Sequence, residues 1–262
     1  MSDTVNVIDW GAELLAVQGL PASGRLSALL AAAGCQAHPK DGRFILGPSA
    51  RLWCVGGIPA QSLIDAGMSM ANIAALTTQS MGAAASMSYL SLPGGSAESA
   101  FDKVIAGMGH CSAAHVASIS IVVAGATCLV ENEFNSQRDL VHLARVTEAR
   151  SSCQGSPSLV VQEPAIFSLC QQALDAAEAI VASAPPLIGG LSRADANEAL
   201  NSLFPSSKAT VFIISGSLRN FQKMLAAKDD EGKEKEYRRI LALIHGLLGS
   251  MWPALFPPLA RT

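Results

Sequence analysis

The sequence predicts a mixed α/β (α+β) chain rich in helix. Three observations carry this. Residues 119–130 form a continuous β-branched and apolar stretch, which reads as a long strand buried on both faces. Residues 165–183 repeat apolar side chains at helical spacing and are closed by Pro185-Pro186. Residues 217–228 and 233–249 predict two more helices, the second stopped by Trp252-Pro253. Of 262 residues, 50% are apolar and 15% charged, enough for a large core and incompatible with a wholly disordered chain. Aromatics are only 5%, so that core is built from small and aliphatic side chains.

The remaining elements follow in order. Val5-Asn6-Val7-Ile8-Asp9-Trp10 is short and β-prone and predicts a strand. Residues 22–34 predict a helix with a glycine stop at Gly34. Phe44-Ile45-Leu46 and Leu52-Trp53-Cys54-Val55, each bounded by Gly or Pro, predict two short strands that suit a hairpin. Residues 60–90, rich in Ala, Ser and Met, predict helix, and Leu92-Pro93-Gly94-Gly95-Ser96 a turn or linker. In 97–108, Phe101, Val104, Ile105 and Met108 recur at 3–4 spacing and predict a helix leading toward the long strand. A polar segment, 131–139, follows that strand, and 193–204 and 210–215 predict a helix and a strand.

Several function classes are excluded. A net charge of −3 argues against a general nucleic-acid coat. Six cysteines, at 35, 54, 111, 128, 153 and 170, make no C-x-x-C pair, and read as reduced thiols of a cytoplasmic protein. The first residues carry no signal-like pattern, and no run reaches 18 uninterrupted apolar residues, so neither secretion nor membrane insertion is expected. There is no P-loop, no G-x-S-x-G and no H-E-x-x-H. Gly107-Met108-Gly109-His110-Cys111-Ser112 lacks the third glycine of a dinucleotide fingerprint and precedes its strand. His110 and His115, five apart, suit a loop rather than a metal pair on a helix.

Two polar regions remain, 109–150 and 193–239. Their cations beside apolar strands suit an anionic ligand such as a phosphate. The charge run from Asp229 to Arg239 reads instead as a solvated helix face, because opposite charges there sit three and four apart.

At this point the layout resembles the flavin-dependent thymidylate synthases, the thymidylate synthase complementing family. Val7-Ile8-Asp9 with Glu13-Leu14-Leu15-Ala16-Val17 is similar to the family's opening strand and turn. Met108-Gly109-His110-Cys111-Ser112, with His115 and the strand after it, is similar to the G-H-[ED]-[ST]-P-x-E-H element. Residues 198–239 lie along the family's C-terminal region without a gap. There Leu203-Phe204-Pro205 falls on its Leu-Pro, Thr210 on its threonine, Ser217-Leu218-Arg219 on its N-x-R and Glu234-Lys235-Glu236 on its Q-x-E. The departures are specific. Of the R-H-R signature only Arg138 survives, the asparagine of N-x-R is Ser217, an expected arginine is Asn201, and Lys228 replaces another.

The resemblance implies a central sheet flanked by long helices in one domain over 1–262, with an atypical extended segment at 18–95. It implies C5-methylation of a uracil nucleotide such as dUMP with FAD, methylenetetrahydrofolate and NADPH, in a homotetramer. By the same resemblance Arg138 and Arg150 take catalytic roles. His110, Ser112, His115, Ser217 and Lys223 fall to the flavin, and Asn201, Arg219 and Lys228 to the substrate. No metal, nucleic acid or membrane is implied. Two alternatives stay open: a divergent member that has lost or changed the reaction and acts as a nucleotide- or flavin-binding or structural protein, and an unrelated α/β enzyme.

Overall fold

The computed structural model describes residues 7–87, 95–137, 139–145, 157–184, 189–192, 195–196, 199–200, 202–204 and 206–258. The chain opens with helices α1 (Trp10–Ala16) and α2 (Ala22–Ala32), then strands β1 (Gln36–Ala37), β2 (Phe44–Gly47), β3 (Ser49–Val55) and β4 (Ile58–Pro59). Helices α3 (Ala60–Asp65), α4 (Met70–Met87) and α5 (Ala97–Ala100) follow, the last continuing as a π-helical turn over Phe101–Gly107. Next come β5 (Ser118–Thr127), α6 (Cys128–Ser136), β6 (His142–Arg145), β7 (Leu159–Val160) and α7 (Phe167–Ser183). The described chain closes with β8 (Ala209–Ser217), α8 (Leu218–Leu225) and α9 (Lys235–Met251).

These strands make a five-stranded sheet in the order β4-β3-β5-β8-β6, antiparallel throughout. A small sheet has the order β1-β2-β7, with β2 and β7 parallel. One face of the large sheet presents Ile119, Ile121, Val123, Phe212 and Ile214 to α4, α5, α8 and α9. The buried stripe of α9, Tyr237, Ile240, Leu241, Ile244 and Leu248, repeats at three and four. Each such large side chain is worth roughly 1.5–3 kcal/mol when fully buried. The other face presents Val122, Ala124 and Val211 to Trp10, Leu29 and Leu30 of α1 and α2. The strand expected at 119–130 is thus buried on both faces, and the sheet is flanked by long helices as the resemblance implied.

Two close approaches depend on glycine. Gly125 bulges out of β5 with φ 73°, and a Cβ there would lie 2.8 Å from Cys35 Sγ. Gly82 lets α4 touch the start of α5, where any Cβ would overlap the Ala97 carbonyl oxygen.

Three sequence expectations are corrected. Val7 makes only an isolated bridge to Leu52 and Trp10 already starts α1, because Asp9 caps that helix by accepting from Ala12 N–H; residues 5 and 6 lie outside the described residues. β2 and β3 are strands but not a hairpin, since Pro48 carries the chain from the small sheet into the large one. The long strand stops at Thr127, whose hydroxyl accepts from Val130 N–H at 3.4 Å and turns the apolar residues 128–130 into helix. α6 runs on through the polar segment to Ser136 and buries Val130 and Phe134. Pro164–Ser183 is, by length and composition, long and apolar enough to cross a membrane, with mean hydropathy 1.2. Gln171, Gln172, Asp175 and Glu178 interrupt its apolar run, and Glu178 pairs with Arg43 at 2.8 Å.

Candidate functional site

β5 and β8 pair antiparallel along their whole lengths, so Ser118 lies opposite Ser217 at one end and Thr127 opposite Ala209 at the other. Each strand runs directly into a helix, so two strand–helix corners stand at opposite ends of the pair. Both corners are capped by a hydroxyl, Thr127 for α6 and Ser217 for α8.

The first end gathers the histidine segment. Gly109, at φ 70°, turns the chain out of the π-helix, and His110 N–H donates to Val104 O at 3.1 Å. A 3-10 turn, Cys111–His115, follows; it buries Ala114 and leaves Ser112 and His115 exposed, as is His110 just before it. His115 Nδ1 lies 3.0 Å from Ser217 Oγ. Ser217 Oγ also accepts from Asn220 N–H at 3.2 Å. Ser217 Oγ thus joins the His115 imidazole to the first turn of α8. Leu218 N–H donates to Ala117 O at 2.8 Å, tying α8 to the same segment.

α8 buries Leu218, Phe221, Met224 and Leu225, which turns Arg219 and Lys223 outward. Arg219 donates to Gln222 Oε1 at 3.3 Å, and Gln222 in turn donates to Leu255 O at 3.0 Å. Lys228 stands beyond the other end of α8, a helix about 12 Å long at 1.5 Å per residue. There it pairs with Asp229 at 2.6 Å. Its charge lies near buried His245, whose pKa is lowered by burial first and then by Lys228. The structure thus brings His110, Ser112, His115 and Ser217 to one end of the sheet, with Arg219 and Lys223 on the adjoining helix. Lys228 lies in a separate cluster. Arg138, Arg150 and Asn201 lie outside the described residues.

Sequence reasoning missed the surface beside this corner. Ser118 and Ser120 on β5 face Ser217 and Ser215 on β8, and the Ser120 and Ser215 hydroxyls are 2.8 Å apart. His142 of β6 lies opposite Ser215. Among the described residues, α1 and α2 cover this face further along, over Val122 and Ala124, and a shelf of hydroxyls runs between exposed His142 and exposed His115. The signal was a serine at every second residue in otherwise apolar strands, Ser118-Ile119-Ser120 and Ser215-Gly216-Ser217.

The opposite corner is closed. Glu236, in the first turn of α9, accepts from Thr127 N–H at 2.8 Å, the Thr127 hydroxyl at 2.9 Å and Gln162 Nε2 at 2.8 Å. Burial raises its pKa against these hydrogen bonds. Thr210 donates to buried Glu131 at 2.7 Å. The Glu236 carboxyl group already fills the start of α6, so this corner is closed to a further anion. The polar groups of the open α8 corner suit a flat, hydrogen-bonding, anionic molecule: neutral hydroxyls, an imidazole N–H and two outward cations.

The fold is a mixed α/β one, a five-stranded antiparallel sheet flanked by helices on both faces. Among solved structures it is similar to the UMP/dUMP methylase PolB from Streptomyces cacaoi, determined with 5-Br UMP bound. The TM-score is 0.57 at 11% identity, covering 81% of this chain and 93% of that one, which is a likeness of fold. No family model matches the sequence, and no curated protein matches it.

Proposed function

We propose that the chain binds a uracil nucleotide at the hydroxyl shelf and methylates its C5 position with FAD. The observation that carries this reading is the His115–Ser217 hydrogen bond. It joins two segments, 102 residues apart, that each resembled a part of the flavin-dependent synthases. The shared fold with a UMP/dUMP methylase supports it.

In this reading Arg219 and Lys223 hold phosphate oxygens through charge-assisted hydrogen bonds. Arginine offers a planar fork to these oxygens, and lysine a point charge. His115, its ring oriented by Ser217, hydrogen-bonds a ring or cofactor carbonyl through Nε2. The Ser118, Ser120 and Ser215 hydroxyls orient the flat ring edges, and His110 and Ser112 border the cofactor from the turn. The residues present fit a flavin dinucleotide, which needs cations for its diphosphate and mixed donors and acceptors for its ring. When bound, reduced flavin supplies the hydride that completes the methyl group. The methylene comes from methylenetetrahydrofolate, the C5 proton is lost, and NADPH restores the flavin. Arg138 and Arg150 are proposed to add charge at the reacting ring and Asn201 to contact the substrate. Lys228, held by Asp229, is assigned a structural place. A homotetramer would let a neighbouring copy cover the open shelf and exclude water.

One observation favours a second reading, a nucleotide- or flavin-binding protein without the reaction. Glu236 fills one of the two strand–helix corners, leaving a single corner for anionic ligands. The test is an absorbance spectrum of the purified protein, a titration with FAD and dUMP, and tritium release from C5-labelled dUMP. Yellow protein with nucleotide-dependent release supports methylation. FAD uptake without release supports the second reading. Colourless protein that takes up neither ligand overturns both.

A further inference from the structure

β3 brings an aromatic side chain to the edge of the hydroxyl shelf. Its pairing with β5 sets Leu52 opposite Ile121 and Cys54 opposite Ser120, so Trp53 is an extra residue with no partner on β5. Such a bulge re-aims the side chain it carries, and bulges gather beside functional sites. Its neighbours fix the direction taken. Leu52 and Val55 pack with Ile119 and Ile121 on the far face of the sheet. Trp53 packs against the cluster that holds Trp10, Leu29, Val122 and Ala124. Val122 and Ala124 share a face of β5 with Ser118 and Ser120, because side chains alternate along a strand. The indole therefore stands on the shelf side, where apolar cover gives way to hydroxyls.

Trp53 is only half-buried, whereas Trp10 and Trp252 are buried. Its Nε1–H has no hydrogen-bond partner among the described residues and, unlike that of Trp252, is not sealed from solvent. Packing alone does not call for a strand irregularity that leaves a large ring partly in water beside polar groups. The shelf complements the indole. The row Cys54, Ser120, Ser215 and His142 crosses four neighbouring strands, roughly 14 Å at the usual strand spacing. A flat heteroaromatic ring standing on that row sets its polar edge on the hydroxyls and its face against the indole. The row is wide enough for a pyrimidine and for a three-ring flavin alike, and each offers a π face for stacking.

We propose that Trp53 is the stacking platform of the shelf, holding the ligand's ring, uracil or isoalloxazine, face to face with its indole. This role rests on the nucleotide- and flavin-binding reading above and deepens it. Its test uses the full chain with Trp53→Leu, which keeps an apolar side chain without a π face, and Trp53→Phe, which keeps a smaller ring. Calorimetry reports binding of dUMP and of FAD, and emission reports contact. dUMP does not absorb where tryptophan emits, so quenching of the emission that Trp53→Phe lacks reports a base against the indole. The isoalloxazine's own emission, quenched by contact with an indole, reports the flavin.

The expected result is contact quenching in one arm, which names the ring. In that arm Trp53→Leu weakens binding about tenfold and abolishes the quenching. Trp53→Phe, which still stacks, stays within about threefold of wild-type affinity. Circular dichroism and melting check that the variants fold; if Trp53→Leu does not, wild type against Trp53→Phe decides by emission alone. Calorimetric binding of either ligand without contact quenching in its arm or the other overturns this role and leaves the binding reading in place, as does wild-type affinity in folded Trp53→Leu. Absence of binding by both ligands overturns the two together.

Discussion

Glu236→Ala removes the acceptor for three hydrogen bonds at the closed corner. Glu236 is 6% exposed and Thr127 2%, so water cannot replace it without opening the packing between α6 and α9. Each donor left buried and unpaired costs about 1–3 kcal/mol. Relief of the carboxylate's own desolvation offsets part of that, and the net expectation is a loss of about 2–4 kcal/mol. For a chain of this size that corresponds to roughly 5–15 °C in Tm. Glu236→Gln keeps the shape and one acceptor, and should lose about 1 kcal/mol. The pH dependence adds a second readout. Burial raises the Glu236 pKa above its ordinary 4.5, so the folded chain holds this proton more tightly than the unfolded chain does. Its contribution to stability is therefore greatest below about 4.5 and falls as pH rises through the raised folded value. Glutamine cannot titrate, and comparing it with the wild type cancels every other group. The advantage of wild type over Glu236→Gln should shrink as pH rises across that window, measured by urea unfolding at a series of pH values. An alanine variant within 1 kcal/mol of wild type, or an advantage that grows with pH, would refute the reasoning.

Gly82→Ala forces α4 away from the Ala97 carbonyl and should cost about 1–3 kcal/mol by chemical denaturation, though alanine is otherwise the better helix former. Ser217→Ala deletes the cap of α8 and should cost about 1 kcal/mol, whereas Ser217→Thr retains most of it. If the methylase reading is right, Ser217→Ala also weakens FAD or dUMP binding in a calorimetric titration, because His115 loses the partner that orients its ring. The Tyr237 hydroxyl is buried without a hydrogen-bond partner among the described residues. Tyr237→Phe should accordingly be neutral or stabilise by up to about 1 kcal/mol, and a loss above that in thermal melts would reveal an unseen partner.

Much of the architecture was legible because apolar period and length decide it. β5, α7 and α9 declare themselves by runs of Ile and Val or by spacing of three and four. α6 did not, since Asn132, Glu133 and Asn135 read only as a polar segment until Phe134 and Val130 are seen packed inward. Pro48 hid the division into two sheets, because two neighbouring strands suit a hairpin unless their partners are known. The histidine turn and the α8 cations could be read individually. Their meeting depends on the register that sets Ser118 against Ser217, and register is settled by long-range pairing rather than by local composition. The closed corner depended on Gln162 and Glu236, side chains whose burial no local pattern betrays.

The small sheet has a kinetic consequence. Its parallel ladder sets Phe44 against Leu159 and Ile45 against Val160, while the whole of β3 to β6 is threaded between them. Closing so long a loop carries its entropic cost before the contacts of β2 and β7 reward it. That ladder is therefore expected to form later than the β5–β8 pairing. Amides of β2 and β7 should gain protection from exchange later than those of β5 and β8 during refolding.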